Sequence, residues 1–242
     1  MYTYKTTIAG QLFICMWAER MVEKVPELEF IQINTDGITI RLPRTKIDLI
    51  REVYKQLEVE TGLGTEEVFY NKMIIRDVNN YIAVYNDHTI ENPHLKLKGC
   101  FEIDKEFHKD PSMKIVPIAL KEYFVNGKSI EETVKNHKNI YDFCMRLKIN
   151  HSSSAFYSYL KGTDMVKEEL GRTTRYFVSK TGGGLTVYYN GSKSMTRLNK
   201  EYQFTLFNKY YKAEDYNINH QFYIKEVYKI KDAVEDFQLT LF

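Results

Sequence analysis

Apolar and polar positions near the start of the chain follow two different periods. From Thr7 to Glu23 (TIAGQLFICMWAERMVE) apolar residues occupy most of a helical circumference. That predicts a buried helix, with Thr6 or Thr7 as its cap. From Glu27 to Pro43 (ELEFIQINTDGITIRLP) the period falls to two. Ile38, Ile40 and Leu42 alternate with Thr39 and Arg41, and Phe30, Ile31 and Ile33 lead into a polar Asn34-Thr35-Asp36-Gly37 corner. Asp-Gly between apolar runs predicts a β-hairpin with Asp36 at its tip. Turn chemistry alone accounts for such a pair, so position by itself assigns Asp36 no further role.

The pattern continues with a second helix from Thr45, opened by a capping-box-like Thr45-x-x-Asp48 and carrying Ile50, Val53, Tyr54 and Leu57 on one face. Segments 67–76 and 81–85 read as strands around a polar Asp77-Val78-Asn79-Asn80 corner. Ser129-x-x-Glu132 is a capping box for a helix through SIEETVKNHKNIYDFCMRL, and Gly127 stops the segment before it. Strand-like pieces at 175–179 and 185–189 are joined by a flexible Gly182-Gly183-Gly184. A helix from about residue 218 to 230 and a short tail complete the order. This succession predicts an α+β fold, not a doubly wound sheet: an antiparallel hairpin-based sheet packed on helices, then a mostly helical region with short strands. The change of character places a boundary near residue 110.

Composition narrows the function classes. Of 242 residues, 43% are hydrophobic and 27% charged, as in ordinary globular proteins. No window approaches the roughly 18 consecutive apolar residues of a membrane span, and no signal-peptide pattern opens the chain. Cys15, Cys100 and Cys144 form no C-x-x-C pair, and the six histidines lack zinc spacing, so neither a disulfide frame nor a zinc site is indicated. Neither G-x-G-x-x-G nor a Walker loop occurs. The net charge is only +2, but residues 171–200 hold Arg172, Arg175, Lys180, Lys193, Arg197 and Lys200 with no acidic residue. Tyr176, Phe177, Tyr188 and Tyr189 lie among them, a composition suited to a nucleic-acid backbone.

The helix TIAGQLFICMWAERM followed by IQINTDGITI resembles the palm of family B DNA polymerases, particularly those of bacteriophages. The hairpin is similar to that family's third motif, Y-x-D-T-D-S. The resemblance implies that Asp36 is the metal-binding, catalytic aspartate and that Asn34, Thr35 and Gly37 form the motif's turn. Asn34 stands where the first aspartate would be, Gln32 where the tyrosine would be, and Gly37 where the serine would be. Downstream, RDVNNYIAVY…LKLKGCFEID looks like the K-K-R-Y region that grips primer-template DNA. On it Val78, Asn79, Asn80 and Tyr81 fill the motif, with only the tyrosine retained. Arg76, Asn79, Asn80, Tyr81, Lys96 and Lys98 are therefore expected at DNA, joined by Arg172, Arg175, Lys180, Lys193 and Arg197 from a thumb-like region.

The resemblance implies residues 1–110 as the C-terminal part of a palm with its metal-binding hairpin at 28–42, residues 111–232 as a thumb, and 233–242 as a tail. Nucleotidyl transfer uses two Mg²⁺ ions about 3.5–4 Å apart, held by more than one carboxylate. The family's first motif (D-x-x-S-L-Y-P-S) and second motif (K-x-x-x-N-S-x-Y-G) have no counterpart here. The expectation is a split subunit or fragment of a DNA-directed DNA polymerase, inactive alone and completed by an upstream part. Primer-template DNA and deoxynucleoside triphosphates would be its ligands, in the cytoplasm of a bacterial host. The final QLTLF is similar to the bacterial sliding-clamp binding peptide, with Gln238 setting register and Leu239, Leu241 and Phe242 filling an apolar pocket. The alternative is a non-catalytic accessory that binds DNA and a clamp.

Overall fold

The computed structural model of the chain describes residues 2–104, 113–189, 194–198, 200–213 and 215–240. It has the α+β character expected, with five α-helices and twelve strands among the described residues. Two compact units emerge: Met1–Asn71 with Asp77–Asn79, and Lys72–Arg76 with Asn80–Phe242. The boundary expected near residue 110 falls outside the described residues; the units divide earlier, between residues 71 and 80. No helix among the described residues is long and apolar enough to cross a membrane.

The first unit is built from α1 (Tyr2–Lys24), the hairpin β1 (Glu29–Ile33) and β2 (Ile38–Arg41), and α2 (Ile47–Thr61). Its core joins Met21, Val25 and Leu28 to Ile50, Val53 and Leu57, with Ile38, Ile40 and Leu42 packed against them. Ion pairs Arg20–Glu60 (2.7 Å) and Lys24–Glu52 (2.8 Å) flank the contact between the helices. α1 departs from the buried helix expected. Ile8 is 52% and Leu12 65% exposed, and only Ile14 and Met21 are buried among the residues of its described face. Within this unit a single helix, α2, packs along α1, and one neighbour covers one stripe. Thr45 is not the cap of α2. A 3-10 turn at Arg44–Lys46, closed by Lys46 N–H to the Pro43 carbonyl, precedes the helix, and Lys46 takes the cap position without a side-chain bond.

In the second unit, β3 (Tyr70–Asp77), β4 (Asn80–Tyr85) and β5 (Leu95–Leu97) form one sheet in that order. α3 (Ile115–Asn126) ends as the sequence predicts. Gly127 adopts φ +67°, and its N–H and that of Lys128 bond the Tyr123 and Glu122 carbonyls at 3.1 and 3.0 Å. Ser129 caps α4 (Ile130–Asn136) by accepting from Glu132 N–H at 3.3 Å, again as expected. That helix is far shorter than SIEETVKNHKNIYDFCMRL. Asn139 bonds the Tyr141 N–H locally, and a 3-10 turn at Ile140–Phe143 leads into a strand.

From there the chain is not mostly helical. β6 (Met145–Lys148), β9 (Thr173–Ser179) and β12 (Gln203–Leu206) form one antiparallel sheet, ordered β12-β9-β6. β7 (Ser154–Lys161), β8 (Asp164–Glu169), β10 (Gly184–Tyr189) and β11 (Ser194–Leu198) form another, ordered β11-β10-β7-β8. In sequence the chain visits these sheets alternately. Short alternating strands separated by few turn signals carry a weaker sequence pattern than a long helix, which is why 154–169 gave no signal. The glycines at 182–184 are not a flexible joiner. Gly182 has φ +149°, and a Cβ there would lie 2.3 Å from the Phe204 carbonyl oxygen. Gly183 exchanges backbone bonds with Phe204 at 3.0 and 2.8 Å, and a Cβ on it would fall 2.4 Å from Ser158 O.

α5 (His220–Thr240) runs past the tail start expected at 233, because Val234 is fully buried and Glu235 accepts from Tyr123 Oη (3.2 Å) and Lys231 Nζ (2.6 Å). Its Tyr223 is the largest fully buried side chain of the fold. The hydroxyl accepts from Val178 N–H (2.8 Å) and donates to the Phe143 carbonyl (2.9 Å), tying helix, central strand and 3-10 turn together. Tyr223→Phe strands a buried donor and a buried acceptor at once. It should lower unfolding free energy by about 1–3 kcal/mol, read from urea midpoints at unchanged m-value.

Candidate functional site

The hairpin forms as predicted, and its tip carries the candidate carboxylate. β1 and β2 pair antiparallel, with Glu29 opposite Arg41, Phe30 opposite Ile40, Gln32 opposite Thr39 and Ile33 opposite Ile38. Ile31 is the extra residue of a bulge, which lets Phe30 and Ile33 share a face despite their odd spacing. Asn34 N–H closes the corner on the Gly37 carbonyl at 2.8 Å. Thr35 and Asp36 project from it, both exposed. Among the described residues no hydrogen bond or ion pair engages the Asp36 carboxylate.

What holds this tip is Gln32, marked in the sequence only as the residue at the motif's tyrosine position. Gln32 is only 6% exposed, while its apolar neighbours Phe30 and Ile33 are 37% and 45% exposed. Its Nε2 donates to Asn34 Oδ1 (3.1 Å) and to the Val78 carbonyl. The hairpin and the 77–79 corner of the same unit are thereby fastened through one buried amide. Asp77 Oδ1 accepts from Asn79 N–H at 3.0 Å and shapes that corner. Gln32 and Asn34, which occupy the tyrosine and first-aspartate positions of the polymerase-like motif, thus work as a strut. The only signal for this in the sequence is a long amide between two apolar residues of a strand.

The other residues expected at DNA divide into several groups. Asn79 is exposed in unit 1. In unit 2, Asn80 spends its Oδ1 on Cys100 N–H (2.7 Å). Tyr81 is 6% exposed, so its ring does not face solvent as a duplex contact requires. Lys96, opposite Ala83, and Lys98, whose N–H bonds the Tyr81 carbonyl at 3.0 Å, follow one another on the edge strand β5 and its end. Arg76 is half-buried in β3.

The basic stretch 171–200 does not form one surface. Arg175 is 8% exposed, and Tyr176 and Phe177 are core residues, because β9 is the central strand of its sheet and is covered on both sides. Arg172 Nη1 donates to the Asn150 and Ser153 carbonyls (2.7 and 3.1 Å), holding the loop before β7. Lys180, Arg197 and Lys200 are exposed. Lys193 lies outside the described residues, as do Leu241 and Phe242 of the terminal peptide; Gln238 and Leu239 belong to the helical backbone of α5.

Asp36 suits a hard divalent cation such as Mg²⁺, being a hydrated carboxylate on a short rigid mount. It is one ligand only. Among the described residues no group of three or more His, Cys, Asp or Glu is placed to hold a metal ion, so a two-metal centre would need carboxylates from beyond them. Burial pushes the Cys144 thiol up to about 12 despite the neighbouring Arg175 charge, which leaves it without thiolate character. His137 is engaged by Asp142 at 2.6 Å and His94 by Asp87 at 2.7 Å.

No protein-family model, curated protein or solved structure matches the chain. The functional reading therefore stands on the hairpin and its motif. Gln32→Leu would remove the strut while keeping the volume apolar. The Val78 carbonyl would lose its partner, and stability should fall by about 1–3 kcal/mol. Exchange of the Asn34 amide, which closes the corner on the Gly37 carbonyl, should quicken correspondingly, which a purely global effect on unit 2 would not produce.

Proposed function

We propose that this chain supplies one metal-binding aspartate, Asp36, and a DNA grip to a DNA-directed DNA polymerase of the bacteriophage family B type. On this reading it is the palm-and-thumb part of the enzyme, with the other motifs contributed by sequence outside these 242 residues. One observation carries the proposal: a free, exposed carboxylate at the apex of an antiparallel hairpin whose sequence, IQINTDGITI, resembles the family's third motif. A flexible loop could expose an aspartate too. Here the buried Gln32 amide fixes both the hairpin and the adjoining corner, so the carboxylate position is preorganised.

Bound Mg²⁺ would supply the electrostatic part of the chemistry, acidifying the primer hydroxyl and neutralising the triphosphate. The chain's own contribution is narrower. Asp36 offers a negative oxygen donor that needs no reorganisation to bind. Asn34 keeps its amide oxygen on Gln32 and so contributes structure, not charge. Exposed Lys98, Lys180, Arg197 and Lys200 add sequence-independent attraction for phosphates. The C-terminal QLTLF fits a tether to a bacterial-type sliding clamp, raising the local concentration of enzyme at a primer end. The setting is the cytoplasm of a phage-infected bacterium.

The decisive experiment is Asp36→Ala in the chain reconstituted with a polypeptide carrying the first and second motifs. Primer extension should drop by about three orders of magnitude or more, since a lost charge-stabilising ligand acts in the transition state. Affinity for primer-template DNA in the absence of metal should stay within twofold. Equal extension by the variant overturns the assignment, while no extension by either protein leaves the accessory role as the better reading. Separately, removing Leu241 and Phe242 should abolish retention on an immobilised bacterial sliding clamp; undiminished retention rejects the tether.

A further inference from the structure

The β11-β10-β7-β8 sheet has one face in the core and one that nothing in the described structure covers. Inward go Ala155, Leu185 and Val187, all buried, with Tyr157 and Leu198 partly buried beside them. Pairing fixes what goes outward. Thr186 lies opposite Phe156 on one side and Arg197 on the other, Tyr188 lies opposite Met195, and Lys167 lies opposite Ser158. Alternation along each strand therefore sets Phe156, Tyr188, Lys167, Arg197 and Met195 on one outer surface.

These residues are organised. Phe156 and Tyr188 meet edge to face with centroids 5.5 Å apart. The Lys167 ammonium sits 4.2 Å from the Phe156 centroid and 4.9 Å from that of Tyr188, and donates to the Tyr188 hydroxyl at 3.3 Å. The Arg197 guanidinium lies over Gly184, where a Cβ would come within 3.1 Å of it. Glu169, opposite Phe156 on the edge strand, is the acidic group facing the same surface from β8.

We propose that this face binds single-stranded nucleic acid, with bases stacking on Phe156 and Tyr188 and phosphates paired to Lys167 and Arg197. Aromatic rings on an open sheet offer π-faces to bases, and a duplex keeps its bases stacked inside, so a single strand is the matching ligand. The Lys167 ammonium set between the two rings distinguishes the surface from a protein-docking face, where lysine is depleted at the centre. Lys167 already occupies the ring faces as a cation; a base takes its place and the released ammonium reaches the adjacent phosphate. Glu169 repels phosphate at the β8 edge, so the strand runs over β7 and β10 toward Arg197. The proposal uses none of the hairpin residues and stands whether or not Asp36 binds metal.

The test is fluorescence anisotropy of the full chain with a labelled oligothymidylate, against a duplex of equal length, over a range of salt. The single strand should bind tighter. Phe156→Ala and Tyr188→Ala should each weaken it roughly tenfold, and Phe156→Trp should retain it. Lys167→Gln should reduce the salt slope by about one. Asp36→Ala should leave all of this unchanged. Equal affinity for duplex, or unchanged binding by both ring variants with intact thermal melting, overturns the proposal, as does a surface that captures a protein partner and no oligonucleotide. If Phe156→Ala melts early, Phe156→Trp against Lys167→Gln still decides, because neither empties packed volume.

Discussion

Two backbones touching at Gly183 and Phe204 set the geometry of the larger unit. The exchange of hydrogen bonds there, at 3.0 and 2.8 Å, happens where the chain leaves β9 for β10 and so passes from one sheet to the other. Any side chain at 182 or 183 would overlap a carbonyl oxygen, so the crossing requires glycine. Tyr157 confirms the closeness by donating to the same Phe204 carbonyl at 2.8 Å. Once the crossing is fixed, the period of β10 is fixed with it: Leu185 and Val187 turn inward, Thr186 and Tyr188 outward. A register slip of one residue would bury Tyr188 and expose both aliphatics. The open face with its rings and cations is therefore a consequence of two glycines, Gly182 and Gly183.

The smaller unit solves a different problem, which is how to hold a charged group steady without pairing it. Other exposed carboxylates of the same unit are partnered, as Glu29 is by Arg41 and Glu60 by Arg20. Asp36 is kept apart at an apex whose neighbours are Thr35 and Gly37, and its position is secured from below by the buried Gln32 amide. An ion pair at the tip would have fixed the side chain but consumed its charge. Placing the rigid contact at Asn34, two residues away, leaves the carboxylate exposed and unpaired, as the proposed metal-ligand role requires.

The sequence disclosed these features unevenly, and the reasons are physical. The hairpin was legible because turn chemistry and period-two alternation are local, and the caps at Ser129 and Gly127 for the same reason. The strut was not, since Gln32 acquires its meaning from Val78, 46 residues away. Tyr81, Arg175, Tyr176 and Phe177 look identical to surface residues in a linear reading. Whether a strand is central or at an edge decides their exposure, and sheet order is a long-range property. α1 erred in the opposite direction: its apolar circumference was evident, but covering it takes neighbours on every side, and α2 with the hairpin leaves Ile8 and Leu12 exposed.

Basic residues in sequence and basic residues in space give different pictures of how this chain would hold nucleic acid. In the linear stretch 171–200, six cations suggest a phosphate-tracking stripe. In the fold, Arg175 is buried, Arg172 is occupied with carbonyls, and the exposed remainder belongs to different strands and loops. Scattered cations at +2 net charge give only weak, salt-sensitive attraction. Stacking does not fade with salt in the same way, because it depends on contact between π-faces and on removing them from water. The outer sheet has that contact to offer, along with two cations close enough to orient a backbone. A chain with so little net charge gains most where rings and cations coincide on an open face, and the surface of Phe156, Tyr188, Lys167 and Arg197 combines the two, whereas Lys231, which lies near the Tyr123 and Tyr228 rings, is itself paired with Glu235.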